Sequence, residues 1–132
     1  MKQLSVFIEN RKGRLEDVLK LLSEEKINIE SLSLADTSDY GMLRLIVDDP
    51  DKGRAALKGK GFSATLSEVV AVPLSDESGS LAEVLHILSE KDINIEYMYA
   101  FTGKEETKVI FRFSDAEEGR NALKEANIKI FD

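Results

Sequence analysis

Gly13-Arg14-Leu15-Glu16-Asp17-Val18-Leu19-Lys20-Leu21-Leu22-Ser23-Glu24-Glu25-Lys26-Ile27-Asn28-Ile29-Glu30 returns as Gly79-Ser80-Leu81-Ala82-Glu83-Val84-Leu85-His86-Ile87-Leu88-Ser89-Glu90-Lys91-Asp92-Ile93-Asn94-Ile95-Glu96. The second copy lies 66 residues after the first, half the length of the 132-residue chain. The same spacing pairs Gly53-Arg54 with Gly119-Arg120, Leu57-Lys58 with Leu123-Lys124 and Val6 with Val72, without a gap. Two copies are too few for a solenoid, which needs at least about three repeats to bury a continuous core. The repeat therefore predicts two small domains in tandem, residues 1–67 and 68–132.

Around the quoted stretch each half reads strand, helix, strand, strand, helix, strand. Leu4, Val6 and Ile8 alternate as a half-buried strand does. Leu15, Val18, Leu19 and Leu22 recur at helical spacing with charges between them. Ile27 to Ala35 returns to strand composition, Asp36 to Gly41 is a turn cluster, and Met42 to Val47 pairs back as a hairpin. Asp48-Asp49-Pro50 opens a second helix, with proline in the first turn where a missing N–H costs nothing. That helix ends near Gly59-Lys60-Gly61, and Phe62 to Leu66 is the last strand. The second half follows with Val69 to Leu74, a helix carrying Leu81, Val84, Leu85 and Leu88, a hairpin of Ile93 to Phe101 and Thr107 to Phe113 around Gly103, and a closing strand Ile128 to Phe131. Ser114 with Glu117 has capping-box spacing for the last helix. Pro73 cannot donate to a ladder and belongs at a strand end or bulge. Two crossovers sharing one sheet make an α+β, ferredoxin-like βαββαβ unit, here twice, with both helices on one face of each antiparallel sheet. Tyr97, Tyr99 and Phe101 alternate with Met98 and Ala100, so that strand is apolar on both faces. The helix-free face of the second sheet is expected to be packed against something.

Composition narrows the function classes. Apolar residues make up 42% and charged residues 33%, enough for a core and a solvated surface. A half-chain domain buries only about 60% of its unfolded surface, so the halves are expected to lean on each other or on a partner. The net charge of −7 argues against non-specific nucleic-acid or anionic-membrane binding. The basic cluster Arg11, Lys12 and Arg14 is short. There is no cysteine, which excludes disulfides, thiol catalysis and cysteine-ligated metals. No secretory or membrane-spanning run is present, and a cytoplasmic protein is the default.

The motifs resemble the ACT domain, a small ligand-binding regulatory module of amino-acid metabolism. The first copy presents Asn10-Arg11-Lys12-Gly13-Arg14-Leu15 with Ile27-Asn28-Ile29. The second presents Asp76-Glu77-Ser78-Gly79-Ser80-Leu81 with Ile93-Asn94-Ile95. Lys12 and Ser78 stand where the family often has proline. The resemblance implies a free-standing tandem ACT protein that binds an amino acid where two such units meet. The implied ligand residues are Asn10, Arg11, Lys12, Gly13, Arg14 and Leu15 with Asn28 and Ile29, and Asp76, Glu77, Ser78, Gly79, Ser80 and Leu81 with Asn94 and Ile95. A helix N-terminus suits a carboxylate, glycine lets backbone approach a ligand, and Asn carries both donor and acceptor for a zwitterion. The same residues also suit plain turns. The first loop is basic and the second acidic, so the two sites are expected to differ.

The rivals are weaker. No nucleophile–base pair is evident, so no catalytic residue is assigned. The single histidine, His86, falls on a polar helix face, and Asp48, Asp49 and Asp51 lack an EF-hand pattern, so no metal or cofactor is expected. Phe111 and Phe113 alternate on one strand like an RNA-binding platform, but the charge is wrong for one. The alternative is a ligand-free interaction or oligomerisation module, or a regulatory subunit. Expected partners are a small amino acid, a second copy of the chain in a homodimer and a target enzyme.

Overall fold

A computed structural model of the chain describes residues 1–36, 39–102 and 106–131. Its contacts divide into two units, Lys2–Ser67 and Glu68–Asp132 with Met1. The amino-terminal unit runs β1 (Lys2–Glu9), α1 (Arg14–Glu24), β2 (Ile29–Asp36), β3 (Tyr40–Val47), α2 (Pro50–Gly59) and β4 (Ser63–Glu68). Its sheet order is β2-β3-β1-β4, with β3 antiparallel to β1 and β2. Leu4, Val6 and Ile8 of β1 share one face with Leu43, Leu45 and Val47 of β3. Val18 and Leu22 of α1 and Leu57 of α2 close the core over that face. Period two on the strands and 3.6 on the helices thus meet in one apolar layer.

The carboxy-terminal unit repeats the plan with β5 (Val70–Leu74), α3 (Ser80–Glu90), β6 (Ile95–Thr102), β7 (Thr107–Phe113) and α4 (Ala116–Glu125). Its strand order is β5-β7-β6. The expected closing strand, Ile128 to Phe131, shrinks to a single bridge in which the Phe131 N–H donates to the Ala71 carbonyl at 2.8 Å. The next bonded pair of that ladder would match Lys129 with Pro73, which has no N–H to give. Ile128 and Ile130 still pack against the core. Pro73 itself lies one residue inside β5, paired with Lys108. Residues 37 and 38 of the first turn cluster and Gly103 of the second hairpin lie outside the described residues.

All four of these helices end alike. Lys26, Gly61, Asp92 and Asn127 each take positive φ just past the C-cap. The next amide reaches back to the third-last helical carbonyl, as Ile27 does to Leu22 and Ile93 to Leu88, both at 2.9 Å. This is the Schellman geometry, and it sets the exit of the chain into the following strand.

Helix starts come in two kinds. Asp49 and Asp115 cap α2 and α4, accepting from the amides of Lys52 at 3.1 Å and Glu118 at 3.0 Å. The expected Ser114–Glu117 capping box is therefore not used. Asp115 wins because its carboxylate reaches the amide three residues on and adds a negative charge at the dipole's positive end. Asp115→Ala is expected to cost about 1 kcal/mol in urea unfolding. An equal loss from Glu117→Ala would restore the box.

Phe111 and Phe113 are fully buried and stack with centroids 5.4 Å apart. They face the helices as core, which removes them as an RNA platform. On the opposite face of that sheet Ala71 and Ile110 are also fully buried, while Tyr97, Tyr99 and Phe101 are half-buried. No helix among the described residues is long and apolar enough to cross a membrane.

Candidate ligand site

The loop after β1 is tied down by its own backbone. The Asn10 amide donates to the Asp39 carbonyl at 2.9 Å, and the Arg11 amide to the Glu9 carbonyl at 2.8 Å. Gly13 then takes φ 89°, the left-handed region, as the N-cap of α1. Having no side chain, it gives α1 no side-chain cap, unlike Asp49 at α2. The arrangement recurs in the second unit, where Gly79 has φ 87° and α3 likewise lacks a side-chain cap. Both helix starts thus keep amides that α2 and α4 satisfy with aspartate.

In the amino-terminal unit this loop borders a recess of about 210 Å³. Ile8, Leu15, Leu34 and Gly41 make its apolar floor, and Glu9, Asn10 and Arg11 its polar rim. Arg11 Nε stands 3.8 Å from Glu9 Oε2. Of the residues singled out by sequence, Asn10, Arg11 and Leu15 line the recess. Lys12 and Gly13 are exposed beside it, and Arg14 turns to the other flank of α1, its guanidinium 4.4 Å from the Phe62 ring centre. In the second copy, Asp76, Glu77, Ser78 and Gly79 form an exposed loop leading into half-buried Ser80 and Leu81.

Asn28 and Asn94 lie elsewhere. Glu9 pairs with Tyr40 and Ile29 with Val47, so the loop and Asn28 sit at opposite ends of β3, roughly 23 Å apart at the usual strand rise. The Asn28 amide donates to Asp48 Oδ1 at 3.0 Å, and the Asp48 amide returns to the Asn28 carbonyl at 3.1 Å. Asn94 Nδ2 donates to Ser114 Oγ at 2.7 Å. Ile29 and Ile95 follow directly and pack against their cores at matching β-bulges, the register shifting before Ser31 and before Tyr97. Within one unit the two motifs are not brought together.

Ile8, Glu9, Leu34 and Gly41 also line the recess, and sequence reasoning did not single them out. The signal lay in the repeat, since 66 residues later they become Leu74, Ser75, Ala100 and Thr107. Two larger recesses are more open and mostly charged. One, about 310 Å³, runs along α1 past Arg14, Lys20 and Lys60. The other, about 530 Å³, lies beside the Lys91–Glu125 pair at 2.7 Å. The hydrogen bond and charge of Lys91 hold the Glu125 carboxyl below its usual range. Asp48, Asp49 and Asp51 have separate duties, binding the Asn28 amide, capping α2 and standing 3.5 Å from Lys2. His86 is exposed beside Glu90 at 3.8 Å.

Comparison with known proteins adds to this geometry. The model of the ACT domain pair matches residues 1–132. Protein BT0572 from Bacteroides thetaiotaomicron is 40% identical with a TM-score of 0.93, covering 98% of this chain and 90% of that one. The ligand-free regulatory subunit of aspartate kinase from Thermus thermophilus is 20% identical with a TM-score of 0.67, covering 95% and 91%. The corresponding subunit from Thermus flavus is 18% identical with a TM-score of 0.64, covering 96% and 92%. At that identity the two subunits share the fold. No curated protein matches the chain.

Proposed function

The chain belongs to the ACT domain-pair family, and on that premise we propose that it is a non-catalytic regulator that binds a small amino acid at the loop between β1 and α1. The observation that carries this reading is the recess itself. An apolar floor and an ion-paired rim adjoin, through Leu15, the first turn of a helix that has no side-chain cap. A carboxylate has backbone amides to meet at such a helix start, and the ammonium has the Glu9 carboxylate. Asn28 joins such a site only from another unit. β2 is an edge strand, and antiparallel pairing of two such edges would set the loop end of one unit beside the Asn28 end of the next. Ligand binding would then bias assembly or the hold on a target enzyme, provided the two states bind it with different affinity. Solved relatives of the same fold include regulatory subunits of aspartate kinase.

A second reading, a pure assembly module, has its own observation. Leu32 and Leu34 on the edge strand β2 are 49% and 45% exposed, apolar surface suited to a protein partner. Thermal unfolding with each of the twenty amino acids at millimolar concentration separates the two. A ligand at about 100 times its dissociation constant adds about 2.7 kcal/mol, a rise of several degrees in the midpoint. A selective rise is expected. No rise with any amino acid would leave the assembly module standing.

A further inference from the structure

We propose that the recess of the amino-terminal unit takes a neutral amino acid with an aliphatic side chain, and that the corresponding loop of the carboxy-terminal unit takes none. This rests on the amino-acid-sensing reading of the same loop and narrows it to a ligand class and a stoichiometry of one per chain.

Size comes first. About 210 Å³ is below the 300 Å³ or so at which sites for larger ligands begin, and it suits a single amino acid rather than a nucleotide or a peptide. Charge comes second. Glu9 and Arg11 form an ion pair of 3.8 Å on the rim, so the rim carries no net charge and offers little to an additional side-chain charge. The floor comes third. Ile8, Leu15 and Leu34 present only hydrocarbon, so a polar side chain placed there would lose water without gaining a partner. An aliphatic one gains roughly fourfold in affinity per buried methylene. Gly41 belongs to the same design. A Cβ there would stand 3.2 Å from Leu34 Cδ1 and 3.4 Å from Ile8 Cγ1, so glycine lets these two side chains form the floor.

The second copy departs in both rim and floor. Ser75, Asp76 and Glu77 replace Glu9, Asn10 and Arg11, giving two adjacent carboxylates and no cation where the first copy has a balanced rim. All three residues are exposed. Asp76 and Glu77 repel the carboxylate that any amino acid must present, and the arginine that offset the rim's negative charge is gone. Ala100 replaces Leu34 and Thr107 replaces Gly41, which shortens the floor and makes it more polar.

Isothermal titration of the full chain with leucine, isoleucine, valine, alanine, aspartate and lysine tests this. Leucine or isoleucine is expected to bind best, valine and alanine progressively less well, and aspartate and lysine at least tenfold more weakly, with one equivalent per chain. Leu34→Ala should weaken leucine about tenfold, and Leu34→Met should retain it. Leu34 sits on an edge strand and is 45% exposed, so both variants are expected to fold, as circular dichroism would verify. Tighter binding of aspartate or lysine, two equivalents per chain, or indifference of leucine to Leu34→Ala would overturn the proposal while leaving amino-acid sensing intact. Failure of all six to bind, extended to the remaining amino acids, would remove the sensing reading and this inference together.

Discussion

Gly119→Ala is expected to destabilise the carboxy-terminal unit by about 3 kcal/mol or more, whereas Gly53→Ala, at the same place in the repeat, should stay within about 1 kcal/mol of the parent. Both glycines are buried in helices, Gly53 in α2 and Gly119 in α4. A Cβ at Gly119 would fall against the Phe113 ring, 2.6 Å from Cγ and Cε2 and closer still to Cδ2. The ring has nowhere to go, because it is fully buried and stacked on Phe111. The helix must therefore lift from the sheet, or the stack must break. At Gly53 the nearest atom is Leu4 Cδ2 at 3.0 Å, with Ile27 and Leu22 methyls at 3.7 Å. A methyl group on a leucine can yield by a few tenths of an ångström. The gain in helix propensity on replacing glycine, about 1 kcal/mol, offsets most of that strain. Urea unfolding followed by tyrosine fluorescence reads the difference, since Tyr40 reports on the amino-terminal unit and Tyr97 and Tyr99 on the carboxy-terminal one. Equal losses at the two glycines would mean that α4 does not ride on the Phe113 ring as described.

The second large effect is on binding. Gly13→Val and Gly79→Val are expected to cost similar stability, about 1–2 kcal/mol each, because φ is 89° at one and 87° at the other. Neither added Cβ would meet an atom within 4 Å, so the cost is backbone strain and not a clash. Their effects on the ligand should diverge. Gly13→Val re-aims the first-turn amides beside the recess and should lower affinity for the best amino acid at least tenfold. Gly79→Val should leave it within about twofold if, as proposed, the ligand sits on the first loop alone. Titration calorimetry on the two variants, with melting curves to match their stability, decides the point. Equal losses of affinity would make the two sites equivalent and would count against a single ligand per chain.

Both pairs of variants exploit a repeat that is plain in the sequence, and its legibility has a physical limit. The helical stripes, the alternating strands and the αL glycines are properties of residues a few positions apart, so they can be read from one segment at a time. The cap of α4 was readable too. Asp115 follows Asp49 by the same 66 residues, and the repeat identifies it more surely than the local pattern of Ser114 and Glu117 does. The closing strand was not readable from its own residues. Ile128 to Phe131 has strand composition, and what stops its ladder is Pro73, far away in the sequence.

The duplication, the element order apart from the closing strand of the second copy, the ACT resemblance and the loop on which a ligand would bear are written in local sequence. Dihedral preference and apolar periodicity act over a few residues, and each copy carries both. The folded chain was needed to bring Ile8, Leu15, Leu34 and Gly41 into one floor, to open a recess beside the first loop, and to set Asn28 a strand's length from Asn10. Those facts depend on register, on which residue of β3 faces which of β1 and β2. Register is settled when a whole sheet buries one face at once, and no single segment contains the information.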